Sequence, residues 1–360
     1  MSKNKIKSIR KKIDSIDHQL LELIQNRGSL AQEIGDLKGL IASNTSFYKP
    51  NREAEILRNI SKLSEGPISE KKIKYIFKEI ISSCLSLEEE LTIAFLGPQG
   101  THSEAAAIRH FGSSALRSPR STIEDVFHQV RTGSVNFGIV PVENSSEGVV
   151  NATLNCLADE EIKICGETYL PIHHQLASAK KFKLSDAEIV ASHPQALGQC
   201  SKWLDANLPN ARREATSSTA DAAKFSKENK KTLCIVSSLA VKQYNLQQYQ
   251  KNIEDFSGNN TRFLVIGHID IEQTKNDKTS FLIQTKNKPG ALIDILEPFN
   301  KRRINLNRIE TRPSRESSSA HNFFIDSDGH QKDSKLKQVI LSLKKLGISV
   351  RVLGSYPSES

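Results

Sequence analysis

The sequence predicts a multidomain protein in which an all-α segment, an α/β segment and a small α+β unit follow one another. Three observations carry that reading. Apolar residues recur at three- and four-residue steps from Ile6 to Ile41, and again after Pro50 and after Ser69, the period of helices with one buried face. From about residue 91 to residue 270, short apolar runs alternate with small-residue turns and helical patterns, the signature of an α/β sheet. After the polar stretch 272–278 the order becomes strand, helix, strand, strand, helix, strand, which is the ferredoxin-like βαββαβ pattern. With 360 residues and 37% hydrophobic content, the chain has ample core for two or three domains.

The first helix opens with Ile6, Ile9, Ile13, Ile16, Leu20 and Leu23 on one stripe. The second follows Lys49-Pro50-Asn51 with Ile56, Leu57 and Ile60 on a face, and the third follows Pro67-Ile68-Ser69 with Ile73, Ile76, Phe77 and Ile80. Three helices of such unequal length cannot bury that stripe alone, so dimerisation is expected. Charges interrupt the stripes. Arg27 lies between Leu20 and Ile34 at heptad spacing, and Lys38, eleven residues on, falls within about 20° of the same face. Glu53 and Glu88 sit in the apolar faces of the second and third helices. Burying four charges is costly unless they pair or bind something, so the pattern reads either as a buried ion-pair network or as an anion site.

In the α/β segment, Thr92 to Leu96 reads as a strand leading through Gly97-Pro98-Gln99-Gly100-Thr101-His102-Ser103 into an alanine-rich helix. The same order recurs at Ser192-His193-Pro194-Gln195, at Ser217-Ser218-Thr219 and over 233–240. Taken singly, the hydroxyls at these helix starts are N-caps; taken together, they frame an anion cradle of free N–H groups. Two further strings place amide, hydroxyl and carboxylate groups beside apolar runs: Pro141-Val142-Glu143-Asn144-Ser145-Ser146-Glu147-Gly148 and Asn260-Thr261-Arg262-Phe263. Turns at strand ends present such side chains to a cleft, as in a site for a small polar molecule. In the third unit Gly290-Ala291-Leu292 opens a helix, and by itself Gly290 is a tight helix start.

Several functions are disfavoured. A net charge of +9 suits a polyanion, but aromatics make up only 6% and no nucleic-acid motif is present, so the partners expected are small anions rather than nucleic acid. Neither a P-loop nor G-x-G-x-x-G occurs, so no nucleotide cofactor, and no cofactor of any kind, is expected. His173 and His174 are adjacent and would point to opposite faces of a strand, and the five cysteines never form a CxxC pair, so no metal site is expected either. No G-x-S-x-G elbow marks a hydrolase. The scattered cysteines read as reduced core thiols. The basic N-terminus lacks an apolar core and no run approaches about 18 apolar residues, which predicts a cytoplasmic protein that does not engage membrane.

On these residues the chain resembles three known families. Ser8-Ile9-Arg10, Ile13-Asp14-Ser15-Ile16-Asp17, the run from Leu21 to Arg27, Lys38 and Phe47-Tyr48-Lys49-Pro50-Asn51-Arg52-Glu53 resemble the all-helical bacterial chorismate mutases, which are intertwined dimers. That resemblance implies a domain over 1–91 whose chorismate site is made by Arg10 from the other subunit, Arg27, Lys38, Arg52, Glu53, Cys84 and Glu88. Arg27 and Lys38 would bind carboxylates, Glu53 the hydroxyl, and Glu88 the ether oxygen that gains charge as the bond breaks. A [3,3] rearrangement needs only a compact conformer and charge stabilisation. Some relatives carry glutamine in place of Glu88, and only a protonated carboxyl donates a hydrogen bond, so activity is expected to rise toward acid pH. Lys49 stands where some relatives have an acid.

Residues 92–271 resemble prephenate dehydratases through Gly97-Pro98-Gln99-Gly100-Thr101, Pro141 to Ser145, Ser192-His193-Pro194-Gln195-Ala196-Leu197 with Gln199-Cys200, Ser218-Thr219-Ala220 and Asn260-Thr261-Arg262-Phe263. The implied fold is two α/β lobes, like a periplasmic binding protein. The implied catalytic group is Thr261 at the leaving hydroxyl, with Asn144, Ser192 and Gln199 positioning the ring substituents. Thr101, Ser145, Gln195, Ser218, Thr219 and Arg262 complete the prephenate site, the side-chain carboxylate being held by Arg262 or by the turn amides, and Glu143 is either a general acid or a salt bridge bracing its turn. Residues 279–356 resemble the ACT regulatory domain, in which Gly290, Ala291 and Leu292 with Glu310, Thr311 and Arg312 match the strings that bind L-phenylalanine. Thr311 replaces the usual serine, and Ser319 and His321 stand where aromatics are common. The resemblance thus implies a homodimeric or larger bifunctional enzyme under phenylalanine feedback. The alternatives are a non-catalytic sensor of small acids and an enzyme with one active half.

Overall fold

The computed structural model describes residues 2–41, 48–314 and 320–359, the side chains of residues 2 and 39–41 apart. Expectations placed on Phe47, Ser319 and the Ile41 side chain lie outside the described residues. The chain forms two units, Met1–Leu91 with Phe111–Leu116, and Thr92–His110 with Arg117–Ser360.

The first unit contains α1 (Ser2–Ile41), α2 (Pro50–Leu63) and α3 (Glu70–Glu88). Pro50 suits the start of α2, where its missing N–H would have no helical partner anyway. Both α1 and α2 pack on α3. α1 and α3 approach closely at Gly35, where an added Cβ would stand 3.1 Å from the Glu88 backbone. The apolar stripe of α1 finds little cover within the chain: Ile13, Ile16, Leu20 and Leu23 are each at least 50% exposed. Segment 111–116 joins this unit through the Phe111 ring, 5.2 Å from Tyr48, and through Ser113, whose N–H and hydroxyl both donate to Glu79.

The second unit begins with β1 (Thr92–Leu96), α4 (His102–Phe111), β2 (Leu116–Arg120), α5 (Ile123–Arg131), β3 (Phe137–Asn144), β4 (Gly148–Val149), α6 (Asn151–Asp159) and β5 (Lys163–Pro171). Next come β6 (Gln175–Ser178), β7 (Ile189–Ser192), α7 (Pro194–Gln199), α8 (Ser201–Asn207), β8 (Arg212–Ala215), α9 (Thr219–Glu228), β9 (Thr232–Val236), α10 (Ser238–Gln243), β10 (Gln247–Gln250) and β11 (Asn260–Gly267). It ends with β12 (Asp277–Lys286), α11 (Ala291–Lys301), β13 (Leu306–Pro313), β14 (Ala320–Asp328), α12 (Ser334–Lys345) and β15 (Ser349–Pro357).

These strands form three sheets. The first has the order β2-β1-β3-β11-β5 with β4 beside β3, the second β10-β6-β9-β7-β8, and the third β13-β14-β12-β15. The first two are mixed and carry helices, and the third is antiparallel with the expected βαββαβ order. Central β9 is buried at every position, as a strand covered on both faces must be. The chain passes between the first two sheets twice, through residues 172–174 and through 251–259, so two crossings join two lobes. The third sheet packs on the first lobe: Phe324, Leu353 and Tyr356 share one buried cluster with Val126, Val140 and Leu264.

Candidate active sites

In the helical unit, α1 and α3 bring Lys38 and Glu88 together at 3.4 Å, and α2 and α3 bring Glu53 within 3.6 Å of Lys78. The side chains of Glu88 and Glu53 are each 14% exposed, so both acids sit largely inside the bundle beside a cation. Arg27 is partly covered on α1 and Cys84 is buried on α3. Arg52 is exposed and bonded to Glu55, and Arg10 is exposed near the start of α1. Lys78, a cation beside Glu53, carries no motif and was missed in the sequence.

In the second unit the two outstanding strings meet. β3 and β11 run antiparallel with Thr261 opposite Asn144, and the Asn144 amide donates to the Thr261 hydroxyl at 2.7 Å. The Asn144 oxygen is fixed in turn by the N–H groups of Ser146 and Glu147. Because the Thr261 oxygen accepts this bond, its own hydrogen is left to donate. Ser145 ties the same turn to the second crossing, accepting from the Asn260 N–H at 2.9 Å and lying 3.3 Å from the Asn259 oxygen.

The crossings carry a polar row. His173 is 2.6 Å from Glu254, whose other oxygen takes the His174 N–H. Burial alone would raise the Glu254 carboxyl, but these bonds outweigh it and hold it below the usual range. The His174 ring meets Gln199 of α7 at 2.9 Å and stands edge-on to His102 of α4, with ring centroids 5.8 Å apart. Burial pushes both rings down, His102 to about 3, so both are neutral imidazoles. His102 Nε2, His174 Nδ1 and Gln199 Nε2 are buried atoms with no protein partner.

Four of the expected site residues are engaged by the protein itself. Arg262 follows Thr261 on β11 and therefore leaves by the opposite face, where Glu167, Asp326 and Tyr356 take its guanidinium. It is 6% exposed and faces the third sheet, not the Thr261 side. Glu143 likewise alternates with Asn144; half-exposed and 3.0 Å from Arg308, it makes the salt bridge that was one of its two expected roles, and this bridge reaches the third sheet. The Ser192 hydroxyl is fully buried and donates to the Ile235 carbonyl at 2.7 Å, a bond between strands rather than a ligand contact. Ser218 caps α9 by accepting from the Asp221 N–H, and its hydrogen goes to the Asp221 carboxylate.

Of the rest, Thr101 donates to the Leu96 carbonyl, Thr219 opens α9 partly covered, and Gln195 is exposed at the start of α7. The Gly100 N–H donates to Glu104, and Ser237 of the second lobe donates to the Gly100 carbonyl at 2.6 Å, so the glycine turn is a point where the lobes touch. Neither Glu104 nor Ser237 stood out in the sequence.

In the third sheet, Gly290 has φ +83 at the start of α11, a conformation glycine adopts without strain. Ala291 is buried and Leu292 exposed. Glu310, Thr311 and Arg312 lie on edge strand β13, with Arg312 bonded to Asn151 of α6. A cavity of about 180 Å³ between this sheet and α6 is lined by Arg312, Asn322, Gln284, Arg351 and Asp159, among others, but not by Gly290, Ala291 or Leu292. His321 pairs with Pro313 in the β13–β14 ladder. All five cysteines are buried thiols. Among the described residues no group of His, Cys, Asp and Glu is arranged to hold a metal ion, and no helix is long and apolar enough to cross a membrane.

Comparison with known proteins agrees with these three regions. Chorismate mutase type II matches residues 9–89, prephenate dehydratase residues 93–287 and the ACT domain residues 279–344. A bifunctional chorismate mutase/prephenate dehydratase of Stutzerimonas stutzeri is 44% identical over 357 residues, covering 98% of each chain. Among solved structures, a prephenate dehydratase from Arthrobacter aurescens in complex with L-Phe is 35% identical with TM-score 0.70, covering 74% of this chain and 90% of its own. The Staphylococcus aureus prephenate dehydratase is 29% identical with TM-score 0.66, covering 74% of this chain and all of its own.

Proposed function

The chain belongs to the bifunctional chorismate mutase/prephenate dehydratases, and from that premise we propose how its residues divide the two reactions and their control. Chorismate is converted to prephenate in the helical domain, 1–91, and prephenate to phenylpyruvate in 92–271, with 279–356 as the regulatory domain. The observation that carries the dehydratase assignment is the Asn144–Thr261 bond, a hydroxyl oriented at the joined ends of two strands with its hydrogen unspent. Aromatisation drives the step: the electrons of the ring-carboxylate bond enter the ring as carbon dioxide leaves, and hydroxide departs and takes a proton to become water. Thr261 stabilises that departing oxygen by hydrogen bonding, since an alcohol is too weak an acid to give up its proton outright. Gln199, Gln195 and Thr219 form the rest of the prephenate site and Thr101 and Ser145 fix the turns that border it, whereas Arg262, Glu143, Ser192 and Ser218 act on the scaffold.

In the mutase, Arg27 and Lys38 hold the carboxylates, Glu53 the hydroxyl and Glu88 the ether oxygen, with Arg52 and Cys84 at the rim and wall. Arg10 lies 28 residues before Lys38 on one helix, about 42 Å along its axis. It therefore serves a site in a second copy, and the exposed stripe of α1 is the surface on which two copies pair. This reading favours a homodimer in the cytoplasm that uses no cofactor. Feedback by L-phenylalanine at Gly290, Ala291, Leu292, Glu310, Thr311 and Arg312 is supported by the ACT match and by the L-Phe complex of the Arthrobacter enzyme.

The test feeds full-length protein chorismate alone and follows chorismate loss and phenylpyruvate appearance with and without L-phenylalanine. Thr261→Ala is expected to lower phenylpyruvate formation about 10²- to 10³-fold while prephenate accumulates at the wild-type rate. Phenylpyruvate formed by Thr261→Ala at the wild-type rate refutes the assignment.

A further inference from the structure

We propose that His174 is a positioning residue of the dehydratase: its Nε2–H fixes the carboxamide of Gln199, so that both amide hydrogens are held out for an oxygen of prephenate. The proposal rests on the dehydratase reading above. His174 lies on the first crossing, 3% exposed, with its N–H bonded to Glu254 at 2.9 Å and its carbonyl to the Ile253 N–H at 3.0 Å. The ring sits on backbone tied to the second crossing, and His102 covers it edge-on.

The orientation of the amide follows from its neighbours. His174 Nε2 and Asn259 Nδ2 approach the same Gln199 atom, at 2.9 Å and 3.3 Å. Asn259 is oriented in turn, because its oxygen faces the Ser145 hydroxyl. An atom approached by an amide NH₂ is an acceptor, so it is the Gln199 oxygen, and the imidazole nitrogen facing it carries the hydrogen. The other end of the carboxamide, Nε2, is buried with no protein partner, which is costly unless a ligand or solvent oxygen meets it. Prephenate offers carboxylate and keto oxygens, all acceptors, to a group that can only donate. Without the His174 donor the carboxamide is free to turn over and present an acceptor to those same oxygens. Gln199 belongs to the second lobe, but its side chain is gripped by both crossings, through His174 and Asn259. Its backbone carbonyl is held by the Asp255 N–H at 2.8 Å.

The test uses full-length protein with prephenate as substrate, the mutase rate of each preparation to normalise protein amount and the calorimetric midpoint of the second unit as the folding control. His174→Leu keeps bulk without the donor and is expected to lower kcat/KM for prephenate about 10- to 100-fold. His174→Gln returns a donor near the same place and is expected within about 5-fold of wild type. In a Gln199→Ala background, His174→Leu is expected to change kcat/KM by no more than about 2-fold, since the amide it positions is gone. The proposal is overturned if glutamine rescues no better than leucine, or if leucine costs as much without Gln199 as with it. A wild-type preparation that rearranges chorismate but leaves prephenate untouched defeats the dehydratase reading instead, and this proposal with it.

Discussion

Replacing Asp326 by asparagine changes one oxygen to nitrogen and should destabilise the second unit severely. Four hydrogen bonds close a ring here: Arg262 Nη2 donates to the Tyr356 hydroxyl at 3.1 Å, Tyr356 to Ser280 at 2.7 Å, Ser280 to Asp326 at 2.5 Å, and Arg262 Nη1 to the other Asp326 oxygen at 2.5 Å. Burial opposes ionisation of Asp326, yet the Arg262 charge and the bonds from Ser280 and Arg262 outweigh it and hold the carboxyl below its usual range. Glu167 and Lys278 complete the cluster at 2.6 Å, so two cations face two anions, all at most 8% exposed. Asparagine leaves two cations against one anion and sets an NH₂ against a donor. Removing one partner of a buried pair costs about 3–5 kcal/mol. Because Glu167 still faces Arg262, the lower figure applies, which corresponds to a fall in Tm of about 6–12 °C. Calorimetry of full-length Asp326→Asn measures it. Removing the pair together, Arg262→Met with Asp326→Leu, should recover part of the loss, because Lys278 and Glu167 remain balanced. A shift under about 1 kcal/mol in the single variant, or a double variant less stable than the single one, refutes the reasoning.

Two further expectations concern pH. The unfolded chain protonates His102 below about pH 6.5, whereas the folded chain resists until about 3. Its contribution to stability is therefore complete above pH 6.5 and is lost as pH falls toward 3, by at most about 1.4 kcal/mol per unit, and by less because the ring is only partly covered. His102→Gln should flatten the decline in denaturation midpoint between pH 7.5 and pH 5; equal declines in both proteins would refute this. In the mutase, Glu88 beside Lys38 can donate only when protonated, so activity should rise toward acid pH and Glu88→Gln should flatten the profile, a curve unchanged in the variant being the contrary result.

The elements of the fold were legible because each rests on a local period or turn. The long stripe of α1, the proline opening α2 and the βαββαβ order are all written within a few residues of where they act. Thr261 and Asn144 stood out separately, but only strand register joins them across 117 residues. Strand alternation, already present in the sequence, separates Arg262 from Thr261 and decides between the two roles open to Glu143, since neighbours on a strand face opposite ways and cannot both reach the cleft. Ser192 and Ser218 illustrate the opposite hazard, hydroxyls whose structural use consumes the hydrogen a ligand would need. Gln199 was singled out in the sequence, but its partners His102, His174 and Asn259 were out of reach, because four segments distant in sequence meet only where the chain crosses between lobes. The joining of 111–116 to the helical unit had no signal at all, as it depends on one aromatic contact and on bonds from Ser113 and Ser114 to residues of α3.

The charged cluster beneath β11 is divided evenly at the boundary between its two domains. Arg262 and Glu167 come from the dehydratase lobe, and Lys278 and Asp326 from the regulatory sheet, so each side contributes one positive and one negative group. Cutting the chain before residue 278 removes charges of both signs in equal number and exposes the remaining pair to water, where a lone ion pair is tolerated. The junction is thus poorly tolerant of single substitutions, and although its charges would balance after such a cut, the apolar seam would not, because Val126, Val140 and Leu264 would lose the cover of Phe324, Leu353 and Tyr356.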